Sequence, residues 1–362
     1  MSGTDAGALF ELCGLRKHYP IERGILFKRR IGAVRAVDGV DLVVRRGETL
    51  GLVGESGCGK STIGRCMLGL ERPSSGRILF DGADLAGFDR AAERRFRRRV
   101  QAVFQDPFSS LNPRMTVEEI VGEPLLVHGI ARERRERLRR VRALLDLCGL
   151  PGQLVDRYPH EMSGGQRQRV GIARALALEP EFVLCDEAVS ALDVSIQAQI
   201  IRLLEDLRER LGLTYLFIAH DLSVVRHISH RVAVMYLGRI VEIADSEILF
   251  ADPRHPYTQA LLSAVPVPDP EIERRRSHRP VTGEIPNPAD PPDGCVFHPR
   301  CPFADARCRR EPPALRAVGD GHEAACHRLE DTVMAAAGGG DAAGPPATPA
   351  RLATSTSTGR AT

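Results

Sequence analysis

The segment Gly54-Glu55-Ser56-Gly57-Cys58-Gly59-Lys60-Ser61-Thr62 decides the fold of this 362-residue chain. It matches the pattern G-x-x-x-x-G-K-[ST], in which a glycine-rich loop connects a strand to the start of a helix. An apolar run at residues 49–53 precedes the segment, and a helix-like stretch at residues 63–68 follows it. Strand, loop and helix in this order predict a phosphate-binding loop, because a glycine-rich surface turn would need neither neighbour.

Each residue type in the loop has a physical role in binding a nucleotide. Glycines let the backbone curl so that successive N–H groups point at phosphate oxygens, and the following helix adds the positive end of its dipole. Lys60, one of only three lysines in an arginine-rich chain, supplies a compact ammonium for the outer phosphates. The Ser61 hydroxyl can ligate Mg²⁺. The predicted nucleotide-binding residues are Gly54, Glu55, Ser56, Gly57, Cys58, Gly59, Lys60, Ser61 and Thr62.

Length and composition predict a soluble protein with ample core. Hydrophobic residues make up 43% and charged residues 27% of the chain, which suits one large domain and a smaller one. The net charge of +3 predicts no nucleic-acid partner, and the arginine run at residues 94–99 is interpreted as a solvated helix face. No run of about 18 apolar residues occurs. Residues 1–9 lack a secretion signal. We therefore expect a cytoplasmic protein whose nine cysteines are reduced or metal-bound.

Hydrophobic periodicity predicts an α/β domain with a helical insert. Short strands are expected at residues 9–12 and 37–44, on either side of an arginine-rich excursion. Between residues 117 and 158 the apolar period becomes helical. The apolar face of this insert consists of Leu138, Val141, Leu144, Leu145 and Cys148. Apolar strands then alternate with helices up to residue 219, which predicts a parallel sheet covered on both faces.

Two carboxylates close one of the predicted strands. Residues 182–185 are apolar, and Asp186 and Glu187 follow them directly. At the carboxyl end of a buried parallel strand, such side chains emerge beside the phosphate loop. Asp186 is expected to hold Mg²⁺ through water, and Glu187 is expected to polarise the water that attacks a phosphate.

A second candidate phosphate site begins at Ser163, followed by Gly164, Gly165 and Gln166. Ser163 is a predicted helix N-cap, and the two glycines leave backbone N–H groups free for an anion. With Met162 in place of the usual leucine, this segment resembles the signature motif of ATP-binding cassette (ABC) ATPases. The resemblance implies that these four residues bind ATP in trans, so that two cassettes must pair to hydrolyse it.

Other residues match the ABC pattern in the expected order. Tyr19 stands where the family places an aromatic side chain on adenine, and Gln105 matches the glutamine that reaches Mg²⁺ and the attacking water. Asp193 resembles a residue of the loop that crosses the dimer interface. His220 matches the histidine that contacts the γ-phosphate. The resemblance therefore implies Glu187, His220 and Gln105 as catalytic residues, and Ser61, Gln105 and Asp186 as the Mg²⁺ site.

Three further stretches, at residues 105–114, 255–262 and 294–302, resemble the ATPase subunits of bacterial dipeptide and oligopeptide importers. The segment His18-Tyr19-Pro20 brings the resemblance closest to the second of the two ATPase subunits in such systems. The implied fold is an ABC-type P-loop NTPase domain with a parallel core sheet, an N-terminal antiparallel β subdomain and a helical insert, followed by a small Pro/Cys-rich C-terminal module.

The implied domains follow from composition and resemblance together. Residues 1–8 are predicted to be a disordered N-terminus, and residues 9–250 a nucleotide-binding domain with a helical subdomain at about 115–160. Residues 251–330 would be the importer-type C-terminal module, since fourteen of the 25 prolines lie between residues 253 and 313. Residues 331–362 are predicted to be a disordered tail rich in alanine and glycine.

The resemblance implies an ATPase on the cytoplasmic side of the membrane that drives peptide import. Its expected partners are two transmembrane permease subunits, a second ABC ATPase subunit in a heterodimer in preference to a homodimer, and an extracytoplasmic substrate-binding protein. Nickel, an opine or glutathione remains an alternative cargo. A soluble ABC ATPase outside transport, or a metal- or redox-regulated ATPase, is the alternative from another class.

Four cysteines cluster in the proposed module, at Cys295, Cys301, Cys308 and Cys326. So short a segment builds little core, so a metal or covalent staple would help it fold. Disulfides are disfavoured in the cytoplasm, and the close cysteine pair of structural zinc sites is missing. The spacing suits a [4Fe–4S] cluster, which the resemblance also implies for some family members. Zinc and free structural thiols stay open as alternatives.

Overall fold

The computed structural model describes residues 7–24, 29–104, 110–264 and 283–330. Of the N-terminus predicted to be disordered, residues 1–8, the first six lie outside these ranges, whereas Ala8 belongs to a strand. The tail predicted at residues 331–362 and the predicted role of Gln105 also lie outside these ranges. The strands are β1 (Ala8–Arg23), β2 (Arg29–Arg45), β3 (Thr49–Val53), β4 (Ser75–Phe80), β5 (Ala83–Asp84), β6 (Val100–Val103), β7 (Phe182–Asp186), β8 (Thr214–Ile218), β9 (Arg231–Tyr236), β10 (Arg239–Asp245), β11 (Arg316–Gly319) and β12 (His322–Ala324).

The helices of the described residues are α1 (Lys60–Met67), α2 (Arg90–Arg99), α3 (Val117–Val127), α4 (Arg134–Leu147), α5 (Gly164–Leu176), α6 (Val194–Leu211), α7 (Leu222–Ile228), α8 (Ser246–Ala251) and α9 (Pro256–Ser263). Short 3₁₀ turns add residues 85–87, 152–156, 159–161 and 298–300. Within the ranges given above, every helix is too short or too polar to cross a lipid bilayer.

An antiparallel sheet with the order β2-β1-β4-β5 forms the N-terminal part of the structure. The two strands predicted at residues 9–12 and 37–44 are far longer, because β1 and β2 pair along most of the arginine-rich excursion. Tyr19 lies opposite Val34, and Ile21 lies opposite Gly32. Backbone pairing satisfies the polar groups of both strands, independent of their side chains. The hydrophobic pattern of the sequence therefore predicts only the buried part of each strand.

The main sheet runs in the order β11-β12-β10-β9-β3-β8-β7-β6. Its centre is parallel, as predicted, because β3 pairs with β8 and β9, and β7 pairs with β6 and β8. All residues of β3 and β8 are buried, as expected for strands covered on both faces. The carboxyl ends of β3 and β7 therefore meet at one edge, where the phosphate loop leaves β3.

The helical insert packs on the face that its sequence predicts. Val141, Leu145 and Cys148 are fully buried, and Leu138 and Leu144 pack against the same core. Thr116 caps α3 through a reciprocal pair of hydrogen bonds with Glu119. The arginine run of α2 also behaves as predicted, because Phe96 is buried while most of its arginine neighbours are exposed.

The C-terminal region extends the main sheet. Strand β12 pairs with β10, placing Ala324 opposite Glu242. The buried Glu242 carboxylate accepts the backbone N–H of His255 at 2.9 Å and lies 2.7 Å from Nε2 of His322. Val296 and Phe297 pack in the hydrophobic core that the helical insert and the central strands share. The change of composition near residue 251 is therefore not a boundary of the sheet or of the core.

Candidate functional site

The phosphate loop begins at the end of β3 and ends at the first turn of α1. Gly54 and Gly59 have φ values of 151° and 112°, which a residue with a side chain rarely adopts. A Cβ at Gly54 would lie 2.1 Å from the carbonyl oxygen of Met235, and one at Gly59 would lie 2.0 Å from that of Ala36. Both the curl of the loop and its close packing therefore require glycine.

Lys60 folds back into the loop that it follows. Its side-chain ammonium donates to the carbonyl oxygens of Gly54 at 2.7 Å and Glu55 at 3.0 Å, and the residue is only 5% exposed. Hydrogen bonds to two carbonyl oxygens fix this buried ammonium in position. The arrangement places one positive charge inside the curl where phosphate oxygens would bind.

Ser61 and Asp186 come from distant parts of the chain and meet beside the loop. The Ser61 hydroxyl donates to a carboxylate oxygen of Asp186 at 3.0 Å. Burial raises the pKa of Asp186, the Ser61 hydrogen bond works against that shift, and the charge of Glu187 adds to it. A hydroxyl and a carboxylate oxygen are ligands that Mg²⁺ prefers. These two residues therefore fit the predicted magnesium site.

Glu187 and His220 lie next to this pair. Nδ1 of His220 is 3.7 Å from a carboxylate oxygen of Glu187. Glu187 has a φ of 50°, a left-handed conformation that is costly for a residue with a side chain. The conformation is held because the Glu187 N–H donates to the carbonyl of Ile218 at 2.9 Å, and its own carbonyl accepts from the Ser190 hydroxyl at 2.9 Å. Such strain is concentrated at functional sites.

Tyr19 reaches the phosphate loop from β1. Its hydroxyl lies near Thr62 and Glu71, and burial raises the pKa of Tyr19. The ammonium of Lys17 lies 4.9 Å from the centre of its ring. The long β1–β2 hairpin therefore places the predicted adenine-binding aromatic residue beside the last residue of the loop.

The signature segment forms the start of α5. Ser163 accepts a hydrogen bond from the Gln166 N–H at 3.3 Å, while the Gln166 side chain accepts one from the Ser163 N–H at 3.0 Å. This reciprocal pair is a capping box, and it confirms the prediction that Ser163 is an N-cap. Gly165 lies so close to Ile196 that a Cβ there would be 2.7 Å from that side chain. Asp193, just before α6, is exposed.

The residues predicted to act in trans make no hydrogen bond with the phosphate loop of their own chain. Within the described ranges, no hydrogen bond joins residues 163–166 to residues 54–62. The structure thus brings together Tyr19, Lys60, Ser61, Asp186 and Glu187 with the neighbouring His220, without a hydrogen bond to the signature segment.

Cys58 is not the thiolate that its neighbours in the sequence suggest. Its place in the loop beside Lys60 suggests a thiolate, since nearby positive charge stabilises one. The side chain is buried, however, and burial raises the pKa of Cys58 more than Lys60 lowers it. Cys58 is therefore a protonated packing residue in this structure.

Two contacts to the loop come from residues that sequence reasoning did not assign to the site. The hydroxyl of Tyr257 in α9 accepts the backbone N–H of Glu55 at 2.9 Å. Arg300, in the 3₁₀ turn at residues 298–300, donates to the two carboxylate oxygens of Glu55 at 2.8 and 3.1 Å. Both residues lie in stretches that carry the importer resemblance, but no local pattern reveals their partner.

All nine cysteines are free thiols, which agrees with the expectation that they form no disulfides. Burial raises the pKa of Cys301 to about 12, and the charges of Cys326, Cys295 and Cys308 also raise it. No group of three His, Cys, Asp or Glu side chains in the described part of the chain is arranged to hold a metal ion. The predicted iron–sulfur or zinc site is not supported by this geometry.

Comparison with protein families gives two matches. The family described as ABC transporter matches residues 37–190, which include the phosphate loop and the signature segment. The family described as oligopeptide/dipeptide transporter, C-terminal region, matches residues 241–308, which include Tyr257 and Arg300. The chain belongs to the peptide-transporter branch of the ABC ATPases.

Relatives agree with this placement. The probable peptide ABC transporter ATP-binding protein y4tS of Sinorhizobium fredii is 55% identical over 320 residues, covering 88% of this chain and 90% of that protein. The oligopeptide transport ATP-binding protein AppF of Bacillus subtilis is 52% identical over 328 residues, covering 90% of this chain and 99% of that protein. The predicted membership of the peptide-importer ATPases is confirmed.

Solved structures share the fold of this ABC ATPase. CbiO1 from Clostridium perfringens, part of the transporter complex cbiONQ, is 29% identical with a TM-score of 0.59, covering 68% of this chain and 92% of that one. The ATP-binding cassette MJ0796, as a post-hydrolysis dimer bound to ADP and Pi, is 29% identical with a TM-score of 0.57, covering 66% and 98%. The predicted ABC fold and ATP-hydrolysing activity are confirmed at the level of the family.

Proposed function

We propose that this ABC ATPase drives peptide import by binding and hydrolysing ATP at the phosphate loop. The observation that carries the proposal is the meeting of Ser61 with Asp186 at 3.0 Å, beside Glu187 and His220. The match of residues 241–308 to the C-terminal region of oligopeptide and dipeptide transporters supports peptides as the cargo.

The residues at the loop divide the chemistry between them. Lys60 offsets the charge of the outer phosphates, and Tyr19 stacks on the adenine. Ser61 and Asp186 would hold Mg²⁺, which would supply positive charge beside the phosphates. Glu187 orients the attacking water and accepts its proton, and His220 holds the γ-phosphate beside it. Gln105, outside the described residues, would complete the group.

Paired cassettes complete each site in this proposal. Ser163, Gly164, Gly165 and Gln166 of one subunit cover the nucleotide on the loop of the other, and Asp193 lies at the interface. The exposure of Asp193 and of Val194, which is 82% exposed, supports this interface. The second subunit would be a different ATPase of the same kind, giving a heterodimer.

The helical insert is the proposed contact with the membrane permeases. Leu126 and Val127 at the end of α3 are 50% and 65% exposed, and Phe104, just before residues 105–109, is 38% exposed. Exposed apolar side chains on one part of a surface favour a protein partner. Docking on two permeases would hold the ATPase at the cytoplasmic face of the membrane, while a substrate-binding protein delivers cargo on the other side.

Co-purification from detergent-solubilised membranes, followed by transport in reconstituted vesicles, tests this function. The proposal expects two permeases and a second ATPase to co-purify, and expects peptide accumulation that depends on ATP. Uptake of nickel, an opine or glutathione in place of peptide would reassign the cargo. Recovery without any permease would favour a soluble or redox-regulated ATPase.

The four C-terminal thiols are a separate part of the proposal. The backbone N–H of Arg328 donates to the sulfur of Cys326 at 3.3 Å, and such a donor stabilises sulfur that carries negative charge. We propose a [4Fe–4S] cluster on these four cysteines, with zinc and free thiols as the alternatives, although the described side chains are not arranged to hold a metal ion. Anaerobic purification with iron, sulfide and zinc analysis tests it. Protein without bound metal, whose fold survives serine at all four positions, would leave free thiols as the answer.

A further inference from the structure

The phosphate loop is held from the C-terminal region by an ion pair. The guanidinium of Arg300 meets the carboxylate of Glu55 at 2.8 and 3.1 Å through two parallel hydrogen bonds. The Arg300 side chain is 6% exposed, and that of Glu55 is 23% exposed. Although burial alone would lower the pKa of Arg300, its hydrogen bonds to Glu55 and Tyr236 raise it above the ordinary value. The pair is thus mostly shielded from water.

A cluster of packed aromatic side chains fixes this arginine in place. Arg300 also donates to the hydroxyl of Tyr236 at 3.3 Å, and Tyr236 packs against Tyr257 with ring centres 4.7 Å apart. Phe297 contacts both tyrosines, at 5.2 and 5.4 Å. Tyr257 is fully buried, and its hydroxyl accepts the backbone N–H of Glu55. Both the side chain and the backbone of Glu55 are therefore held by residues outside the loop.

The charge of Glu55 makes this contact matter for nucleotide binding. Glu55 directly follows Gly54 in a loop whose task is to receive phosphates, so its carboxylate would repel the ligand if left unpaired. Arg300 neutralises that carboxylate and, through a fork of two hydrogen bonds, fixes its direction. Arg300 lies in the 3₁₀ turn between Cys295 and Cys301, so the four-cysteine segment is next to this contact.

We propose that Arg300 is a positioning residue for ATP, which neutralises Glu55 and, together with Tyr257, fixes the phosphate loop from the C-terminal region. The inference rests on the proposed function, in which this loop binds ATP. It assigns the C-terminal region a direct role in the affinity of the ATP site, in addition to any role in the transporter assembly.

Binding of a fluorescent ATP analogue to the purified full-length chain tests the proposal. Arg300→Ala is expected to weaken binding about tenfold, the size of a lost hydrogen-bonded charge contact. The weakening is expected to shrink as salt concentration rises. Arg300→Ala combined with Glu55→Gln is expected to recover most of the affinity, because the second change removes the charge that the arginine neutralises. Arg300→Lys keeps the positive charge but loses the two parallel hydrogen bonds, and its ATP affinity is expected to lie between those of wild type and Arg300→Ala.

Matched controls separate this role from general stability. Arg309→Ala makes the same change at an exposed position of the same region and is expected to bind like wild type. If Arg300→Ala fails to fold, Arg300→Lys still decides the matter, since the inference requires this variant to bind ATP more weakly than wild type. Wild-type affinity in Arg300→Ala, or no recovery in the double variant, would overturn the inference alone. Failure of the wild-type chain to bind ATP would overturn the proposed function instead.

Discussion

Nδ1 of His220 lies 3.7 Å from the carboxylate of Glu187, although the two residues follow different strands of the main sheet. The strands β7 and β8 are parallel neighbours, with Asp186 opposite Ile218, so the residues that follow them emerge at the same edge. Glu187 is held in its left-handed conformation by a hydrogen bond to the carbonyl of Ile218. The sheet therefore presents a carboxylate and an imidazole side by side where the terminal phosphate would lie.

Glu187→Gln is expected to keep ATP binding and to lose hydrolysis. The amide has nearly the same size and hydrogen-bonding reach, but it cannot accept a proton from water as a carboxylate does. The rate should fall about 10²-fold or more, and phosphate release measured beside nucleotide affinity in the assembled transporter checks it. Turnover within a few-fold of wild type would remove Glu187 from the catalytic role.

Lys60→Ala is expected to weaken ATP binding itself. The substitution removes a buried ammonium from the curl of the loop, where it is held by the carbonyls of Gly54 and Glu55. A charge-assisted contact of this kind is worth about tenfold or more in affinity. Filter binding with labelled ATP measures the loss. Lys60→Arg is the matched variant, and it should also bind poorly, because a planar fork does not fit the space of an ammonium.

Sequence alone predicts the parts of the site that depend on local order. The capping box of Ser163 and Gln166 spans three residues, and the phosphate loop spans nine, so each leaves a recognisable pattern. The pairing of apolar strands with the carboxylates that follow them also needs only chain order. These features, together with the ABC resemblance, were enough to predict the parallel sheet and the family.

Contacts between distant segments are what the sequence does not reveal. Arg300 and Glu55 are 245 positions apart, and no local pattern around either residue indicates that the two side chains pair. The length of the β1–β2 hairpin is likewise set by backbone pairing. The arginine- and glycine-rich sequence of this segment does not indicate strands. The burial of Cys58 is hidden for the same reason, since it comes from packing against other parts of the chain, whereas the neighbouring Lys60 is visible in the sequence.

Cys58 is expected to react slowly with alkylating reagents in the folded protein. Its thiol is 6% exposed, and its pKa is raised by burial in spite of the ammonium of Lys60. Since the thiolate is the reactive form, both effects slow alkylation. Mass spectrometry of protein treated briefly with iodoacetamide near neutral pH should show less label on Cys58 than on the partly exposed Cys13. Equal or faster labelling of Cys58 would contradict the buried position.

His255 is expected to make the stability of the C-terminal region depend on pH. The side chain is buried, and burial lowers the pKa of His255 to about 4, with the charge of Glu242 acting the other way. An unfolded chain binds the same proton at a pKa of about 6.5. Between these two values the unfolded state holds more protons, so stability is complete above about pH 6.5 and falls as the pH drops toward 4, by up to about 1.4 kcal/mol per unit.

His255→Asn separates this titration from the structural role of the side chain. Nδ1 of His255 accepts the backbone N–H of Tyr257 at 3.1 Å and caps α9, and an asparagine oxygen can do the same without titrating. The midpoint of urea unfolding, measured from about pH 4 to 7.5, should therefore depend less on pH in His255→Asn than in wild type. His160→Asn, at an exposed position, is the matched control and should keep the wild-type slope.

Because the Tyr257 hydroxyl also holds the backbone of Glu55, protonation of His255 should loosen the phosphate loop, and ATP affinity should fall over the same pH range. Identical pH profiles for wild type and His255→Asn would show that another buried group controls acid stability.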